Sequence, residues 1–257
     1  MALAGAMGSL WSAKTLAGAI GGLLSAKALV GSVLMPPTCC LCAAAGQMPD
    51  LDLCEVCSML LPVNRDAPVD VAANWPAFAR VLVPFEYAYP VDHLIRALKF
   101  RGERVYARVL GTLLAQAHQA VRQELPNLIV PMPLHSARYR ERGFNQAQEI
   151  ARFAARRLGV AVDTRSLLRK VATQEQSGLS LAERRMNVRG AFEGARGLQG
   201  KRVALVDDVL TTGSTALAAS TALLAAGVTE VELWAVARVA LAALKDPPPS
   251  RPAVECC

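Results

Sequence analysis

The stretch Val203 to Thr215, Val-Ala-Leu-Val-Asp-Asp-Val-Leu-Thr-Thr-Gly-Ser-Thr, constrains this chain more than any other. Val203–Val206 is a short apolar run, the pattern of a strand buried on both faces of a parallel sheet. Asp207 and Asp208 are predicted to fall where that strand ends. A turn of hydroxyl residues surrounds Gly213, an alanine-rich helix is expected as far as Ala226, and Gly227 is placed to stop it. In open α/β sheets, ligands bind beyond the C-terminal strand edges. The helix that follows such a strand offers unpaired N–H groups and the positive end of a dipole, which suits a phosphate. Thr211, Thr212, Ser214 and Thr215 add hydroxyl donors, and Gly213 allows close backbone approach. The two carboxylates can accept hydrogen bonds from sugar hydroxyls or hold hydrated Mg²⁺. A sugar phosphate satisfies both halves of the string at once. The plainer alternative is a strand–turn–helix corner with solvated acids and a Ser/Thr cap.

A second pattern stands well upstream. Cys39 with Cys42 and Cys54 with Cys57 make two Cys-x-x-Cys knuckles. Each knuckle can place two thiolates about one zinc ion, and four complete a tetrahedron. Few apolar residues lie between them, so a structural metal is expected to stand in for a core, contributing roughly 10–16 kcal/mol in such modules. Disulfides or free thiols are the alternative, and Cys40 can replace Cys39 in either reading. Cys256 and Cys257 follow a proline-rich tail and read as incidental.

The remaining chain alternates helix and strand patterns. Hydrophobic residues make up 53% of its 257 residues and charged residues 19%, which excludes a disordered chain. Aromatic residues are only 5%, so the core is expected to rest on Ala, Val and Leu. Residues 81–89 read as extended. Leu94, Ile95 and Leu98 mark one face of a helix ending near Lys99, and a second helix is expected from about Val105 to Glu124. Leu128-Ile129-Val130 is the next strand, stopped by Pro131 and Pro133. Another helix follows as far as Leu158, and Val228–Val239 reads as a further buried strand. Residues 167–192 carry the least secondary structure, apart from a capping box at Ser180-Leu181-Ala182-Glu183 that is worth about 1 kcal/mol. Between Arg138 and Arg189 twelve Arg and Lys face five Asp and Glu, an excess equal to the whole chain's +7. Such a segment suits a polyanion or is simply a solvated basic face.

The Val203–Thr215 string resembles the phosphoribosyl pyrophosphate (PRPP) motif of type I phosphoribosyltransferases. Its surroundings narrow the resemblance to the ComF (GntX) family: the paired knuckles, Leu98-Lys99-Phe100-Arg101-Gly102, the Pro131-Met132-Pro133-Leu134-His135 run with Arg142-Gly143-Phe144-Asn145-Gln146, and the Thr173…Gln176…Asn187…Phe192 series. The resemblance spans residues 36–240. It implies a doubly wound, mostly parallel sheet with a small N-terminal zinc-ribbon-like module. The expected divisions are an extension over 1–35, the four-cysteine module over 36–62, a linker over 63–79, the transferase-like domain over 80–240 and a tail over 241–257. It further implies Mg²⁺·PRPP as ligand and phosphoribosyl transfer to an unidentified acceptor. Asp207 and Asp208 are expected at the ribose hydroxyls and metal, Thr211–Thr215 at the 5′-phosphate, and Pro131–Leu134 at the pyrophosphate, with Lys99 beside them. Arg138, Arg142, Asn145, Gln146, Gln176, Arg184, Arg185 and Asn187 are expected in the basic lid region.

Relatives of this kind are associated with natural competence. The competing expectation is therefore a binding factor for single-stranded DNA that works with other DNA-uptake proteins. Residues 1–35 hold Lys14 and Lys27 and no acid, and Leu16–Leu24 is too short and glycine-rich to span a membrane. Ala26-Lys27-Ala28 has the pattern of a signal-peptidase site, but an intracellular phosphorylated ligand points to a cytoplasmic protein with a poorly ordered extension or a short surface helix.

Overall fold

The computed structural model describes residues 36–65, 77–170 and 190–239. Expectations for residues 1–35, the 180–183 capping box, Gln176, Arg184, Arg185, Asn187 and the C-terminal tail lie outside these. In chain order the elements are α1 (Glu55–Met59), β1 (Arg80–Leu82), β2 (Phe85–Glu86), α2 (Val91–Arg101), α3 (Arg104–Ala120), β3 (Leu128–Pro131), α4 (Ser136–Arg142), α5 (Gln146–Leu158), β4 (Ala161–Val162), β5 (Leu167–Arg169), β6 (Phe192–Gly194), β7 (Arg202–Leu210), α6 (Ser214–Ala225) and β8 (Glu230–Arg238).

The main sheet is parallel throughout, in the order β1-β8-β7-β3-β4, with β2 also paired to β8. Both of its faces are covered, which is why β7 and β8 read as continuous apolar runs rather than alternating ones. Alternate residues of β7 enter different cores. Ala204 and Val206 pack with α2, α3 and α5, while Val203 and Leu205 pack with α6 and the segment around Phe192. Helices α3 and α5 touch closely at Gly111, where a Cβ would lie 2.5 Å from the Ile150 carbonyl oxygen. Any larger residue there would push the two helices apart.

Several elements differ from the sequence-based expectation. Strand β7 does not end before the acids but runs on to Leu210, because β8 extends to Arg238 and supplies Ala235 and Ala237 as partners for Asp207 and Val209. The neighbour on the other side, β3, stops at Pro131, so the acids stand beyond the end of one neighbour while still paired to the other. The 81–89 region breaks into β1 and β2 around Pro84, and α3 ends at Ala120, leaving Val121 outside the helix. One helix was expected between the Pro131–Leu134 loop and Leu158, yet a separate short helix, α4, forms before α5. The His135 ring accepts a hydrogen bond from the Ala137 N–H, and left-handed Gly143 ends the helix. The 167–192 stretch is structured at both ends, where β5 and β6 pair as an antiparallel ribbon.

The cysteine region also differs. Leu51, Leu53 and Leu61 are buried and join the same core as α2, α3 and α5, so the module does not lack apolar support. Two carboxylates fasten it to the helices. Asp52, 2% exposed, pairs with Arg108 of α3 at 2.5 Å, and Asp50 pairs with Arg157 of α5 at 2.8 Å. Among the described residues no helix is long and apolar enough to cross a membrane.

Candidate functional site

A cleft of about 180 Å³ opens where β7 outruns β3. It gathers Lys99 from α2, Met132, Pro133 and Leu134 after β3, Arg138 and Arg142 from α4, Gln146 from α5, Asp207 and Asp208 from β7, and Thr211, Gly213 and Thr215 from the turn into α6. These are separated in sequence by up to 116 positions, from Lys99 to Thr215. They meet because parallel strands bring all their C-terminal loops to one edge.

The acids differ in surroundings because neighbouring strand residues face opposite ways. Asp208 faces α2 and forms an ion pair with Lys99, Nζ to Oδ2 at 2.6 Å. Burial pulls the Lys99 ammonium down, but the Asp208 and Asp207 charges outweigh it, and the net shift is upward. Asp207 faces the α6 side of the sheet. Burial and the nearby Asp208 carboxylate push its carboxyl up to about 8. Both side chains are held in place from the backbone: Asp207 accepts the Asp208 N–H at 2.8 Å, and Asp208 accepts the Val209 N–H at 2.9 Å.

The turn that follows is built around Gly213, whose φ of +73° is costly for any residue with a Cβ. Gly213 is the N-cap of α6, has no side chain with which to cap it and lines the cleft, so the first turn of α6 starts at the cleft; its Ser214 N–H lies 3.5 Å from the Thr212 hydroxyl. Thr211 and Thr215 line the cleft. Thr212 and Ser214 do not; their hydroxyls lie 2.9 Å apart and brace the turn. Asn145 is likewise a structural residue. It caps α5 by accepting the Gln148 N–H, and its amide donates to the Met132 carbonyl at 3.0 Å, fixing the loop after β3. Pro131 stays in β3, opposite Val206.

Sequence reasoning missed one charged residue of the cleft, Arg169. It ends β5, directly across the ribbon from Phe192, with its guanidinium 5.5 Å from that ring. No local spacing flags it, since only the ribbon pairing carries it to the cleft.

The four predicted sulfur ligands also come together. The Sγ atoms of Cys39, Cys42, Cys54 and Cys57 all lie within 4.8 Å of one another, compatible with one tetrahedral zinc ion. Cys40 is outside the group, which decides between it and Cys39. None of the described cysteines forms a disulfide.

The family description "Phosphoribosyl transferase domain" matches residues 143–251. Together with the parallel α/β sheet and the N-terminal cysteine cluster, it defines a type I phosphoribosyltransferase fold carrying a four-cysteine module. The DNA utilization protein YhgH of Salmonella typhimurium is 33% identical over 209 residues, covering 78% of this chain and 89% of that protein. Competence protein F of Haemophilus influenzae is 35% identical over 170 residues, 63% of this chain and 74% of that one. The chain belongs to the ComF family. Among solved structures, the glutamine PRPP amidotransferase from B. subtilis is 26% identical, covers 49% of this chain and 25% of its own, and has a TM-score of 0.35.

Proposed function

We propose that the cleft binds Mg²⁺·PRPP and that the protein transfers its phosphoribosyl group to an acceptor, with Asp207 and Asp208 at the ribose. The observation that carries this reading is the convergence of three features in one cleft: a carboxylate pair, a helix N-terminus whose cap residue is Gly213, and Arg138 and Arg142. Each suits one part of the ligand. The carboxylates accept from the ribose 2- and 3-hydroxyls. The α6 N-terminus with Thr211 and Thr215 receives the 5′-phosphate. The loop after β3, held by Asn145, presents backbone toward the diphosphate, and the guanidinium groups of Arg138 and Arg142 neutralise it.

Displacement of diphosphate from the anomeric carbon places positive charge on the sugar ring, and the two carboxylates are positioned to stabilise it. The reaction calls for no protein nucleophile. Lys99 orients Asp208 through their ion pair. Because Asp207 holds its proton up to about pH 8, a ligand that needs its carboxylate must displace that proton, and affinity should rise with pH through that range. Mg²⁺, when bound with the ligand, supplies charge neutralisation of the diphosphate. The thiolates of Cys39, Cys42, Cys54 and Cys57 would hold a structural Zn²⁺ that closes the module, in a protein we place in the cytoplasm.

The test is calorimetric titration of Mg²⁺·PRPP into the wild type and the Asp207→Asn, Asp208→Asn double variant. Binding by the wild type alone supports the reading and justifies a screen of acceptors by diphosphate release. Absence of binding in both would overturn it.

A second reading has its own support. Relatives carry the names "DNA utilization" and "competence", and α4 presents exposed Tyr139 and Arg140 next to Arg138 and Arg142. Single-stranded DNA bound there would weaken steeply with salt and on removal of the three arginines together, and would survive the aspartate changes.

A further inference from the structure

Strand β4 ends the main sheet, paired with β3 and, among the described residues, with no strand on its outer side. Asp163 turns its N–H inward to the Ile129 carbonyl at 2.9 Å, so by strand alternation the N–H and C=O of Val162 face outward. Beside this edge lies a second cavity, of about 450 Å³, and none of its lining residues lines the cleft. Ala155, Gly159, Val160 and Val162 give it an apolar lining, and exposed Arg152 and Arg156 of α5 add two guanidinium groups.

An open edge is ordinarily guarded by charged residues on the strand itself. Here the strand carries Ala161 and Val162, and the charges stand on the neighbouring helix. Both arginines are held in place. Arg156 lies over the Phe153 ring at 4.3 Å and donates its Nε–H to the Arg152 carbonyl, while Arg152 pairs with buried Glu149 at 2.6 Å. Among the described residues Arg156 has no carboxylate partner. Asp163, the acid next to β4, is already engaged by the Arg165 N–H and by the N–H and hydroxyl of Ser166.

These features select the occupant. Outward N–H and C=O groups suit an extended backbone, an apolar lining takes alternate apolar side chains, and the guanidinium groups take carboxylates. A second copy of this chain fits poorly, because a two-fold pair would bring its own Arg152 and Arg156 to the same edge. A nucleic-acid strand also fits poorly. Phe153 carries Arg156 on its face rather than offering it to a base, and α5 ends at Gly159, so its carbonyl end opposes a phosphate chain. We infer that the β4 edge docks an extended, acidic segment of a partner protein, which adds a strand beyond β4 and sets its carboxylates against Arg152 and Arg156.

The experiment uses the full chain and a short fluorescein-labelled peptide of alternating glutamate and valine, with its lysine–valine counterpart as control. Binding is read by fluorescence anisotropy and its place by amide hydrogen exchange. Expected are binding of the glutamate peptide alone, slower exchange at Val162, and a loss of roughly tenfold or more in Arg156→Glu. Arg156 is exposed, so that variant should keep the wild-type thermal midpoint. Arg156→Gln, with a smaller loss, repeats the test without charge reversal. N-methylation of alternate peptide residues removes donors from one edge, so one of the two N-methyl series should lose binding while the other keeps it. The inference is overturned if the glutamate peptide does not bind, if the lysine peptide binds equally, or if both N-methyl series bind as the parent does. Binding that is indifferent to Arg156→Glu, or that leaves exchange at Val162 unchanged, overturns it as well. Protection of Val162 that rises with protein concentration alone would assign the edge to a second copy, and protection by oligothymidylate but not by the peptide would assign it to nucleic acid. Either result overturns the acidic segment as occupant.

Discussion

The cysteine module and the cleft solve opposite problems. The module brings four sulfur atoms within 4.8 Å using two short knuckles, so most of its geometry is local. The cleft collects side chains from α2, the loop after β3, α4, α5, β5, β7 and the turn into α6, so almost none of its geometry is local. One region depends on ligands close in sequence, the other on a sheet that aligns distant loops. Yet the two are joined, because the module rests on α3 and α5, and α5 is capped by Asn145, which fixes the loop under the cleft. A local metal site and a distributed ligand site thus share one pair of helices.

The largest test of this contrast removes the module's closure. Cys54→Ser with Cys57→Ser, or treatment with a strong zinc chelator, is expected to cost at least about 3 kcal/mol, a fall of roughly 6–12 °C in thermal midpoint. Scanning calorimetry with parallel zinc analysis checks it. A protein that keeps its midpoint without metal would show that Leu51, Leu53 and Leu61 hold the module unaided.

A smaller effect is expected at the junction. Asp52 is buried and Arg108 is partly exposed, so Asp52→Asn should cost about 1–3 kcal/mol by leaving that pair broken. The half-exposed Asp50 is the control, and Asp50→Asn should cost about 0–1 kcal/mol. Urea denaturation of both variants measures the difference, and equal costs would mean that burial of Asp52 is not what anchors the module.

Within the cleft the expected change depends on pH, and that dependence is the informative part. Asp207 holds its proton more tightly folded than unfolded, so its stabilising contribution is complete below the unfolded carboxyl range near 4. That contribution declines as pH rises and levels off above about 8. Asp207→Asn removes this dependence, so the variant should gain on the wild type steadily between pH 5 and 8. A stability difference that stays constant over that range would show that the carboxyl is not shifted upward.

Legibility followed the same division. The strand–acid–glycine string, the two knuckles and the apolar stripes of α2, α3 and α5 could be read directly, because strand alternation, helix period and ligand spacing all act over a few residues. The end of β7 could not, because its last residues owe their pairing to β8, which follows α6 in the chain. Helix α4 was missed because its start depends on a histidine ring acting as cap, a role rarely signalled by sequence. Asn145 was placed with the basic lid region by its motif; that its amide also braces Met132 across 13 positions could not be read from spacing.

What the sequence determined by itself is the kind of chemistry on offer: adjacent acids before a glycine-hydroxyl turn, four thiols in pairs, and arginines after a proline-stopped strand. Only the tertiary structure decided how these groups are used. Strand alternation split two neighbouring aspartates between opposite faces, giving Asp208 the ammonium of Lys99 and leaving Asp207 to hold its proton. Ribbon pairing brought Arg169 to the same cleft, and the fold placed Cys39 rather than Cys40 with the other three sulfur atoms. Residue type sets what a side chain can do, but its ionisation and partners depend on burial and on neighbours that arrive from elsewhere in the chain.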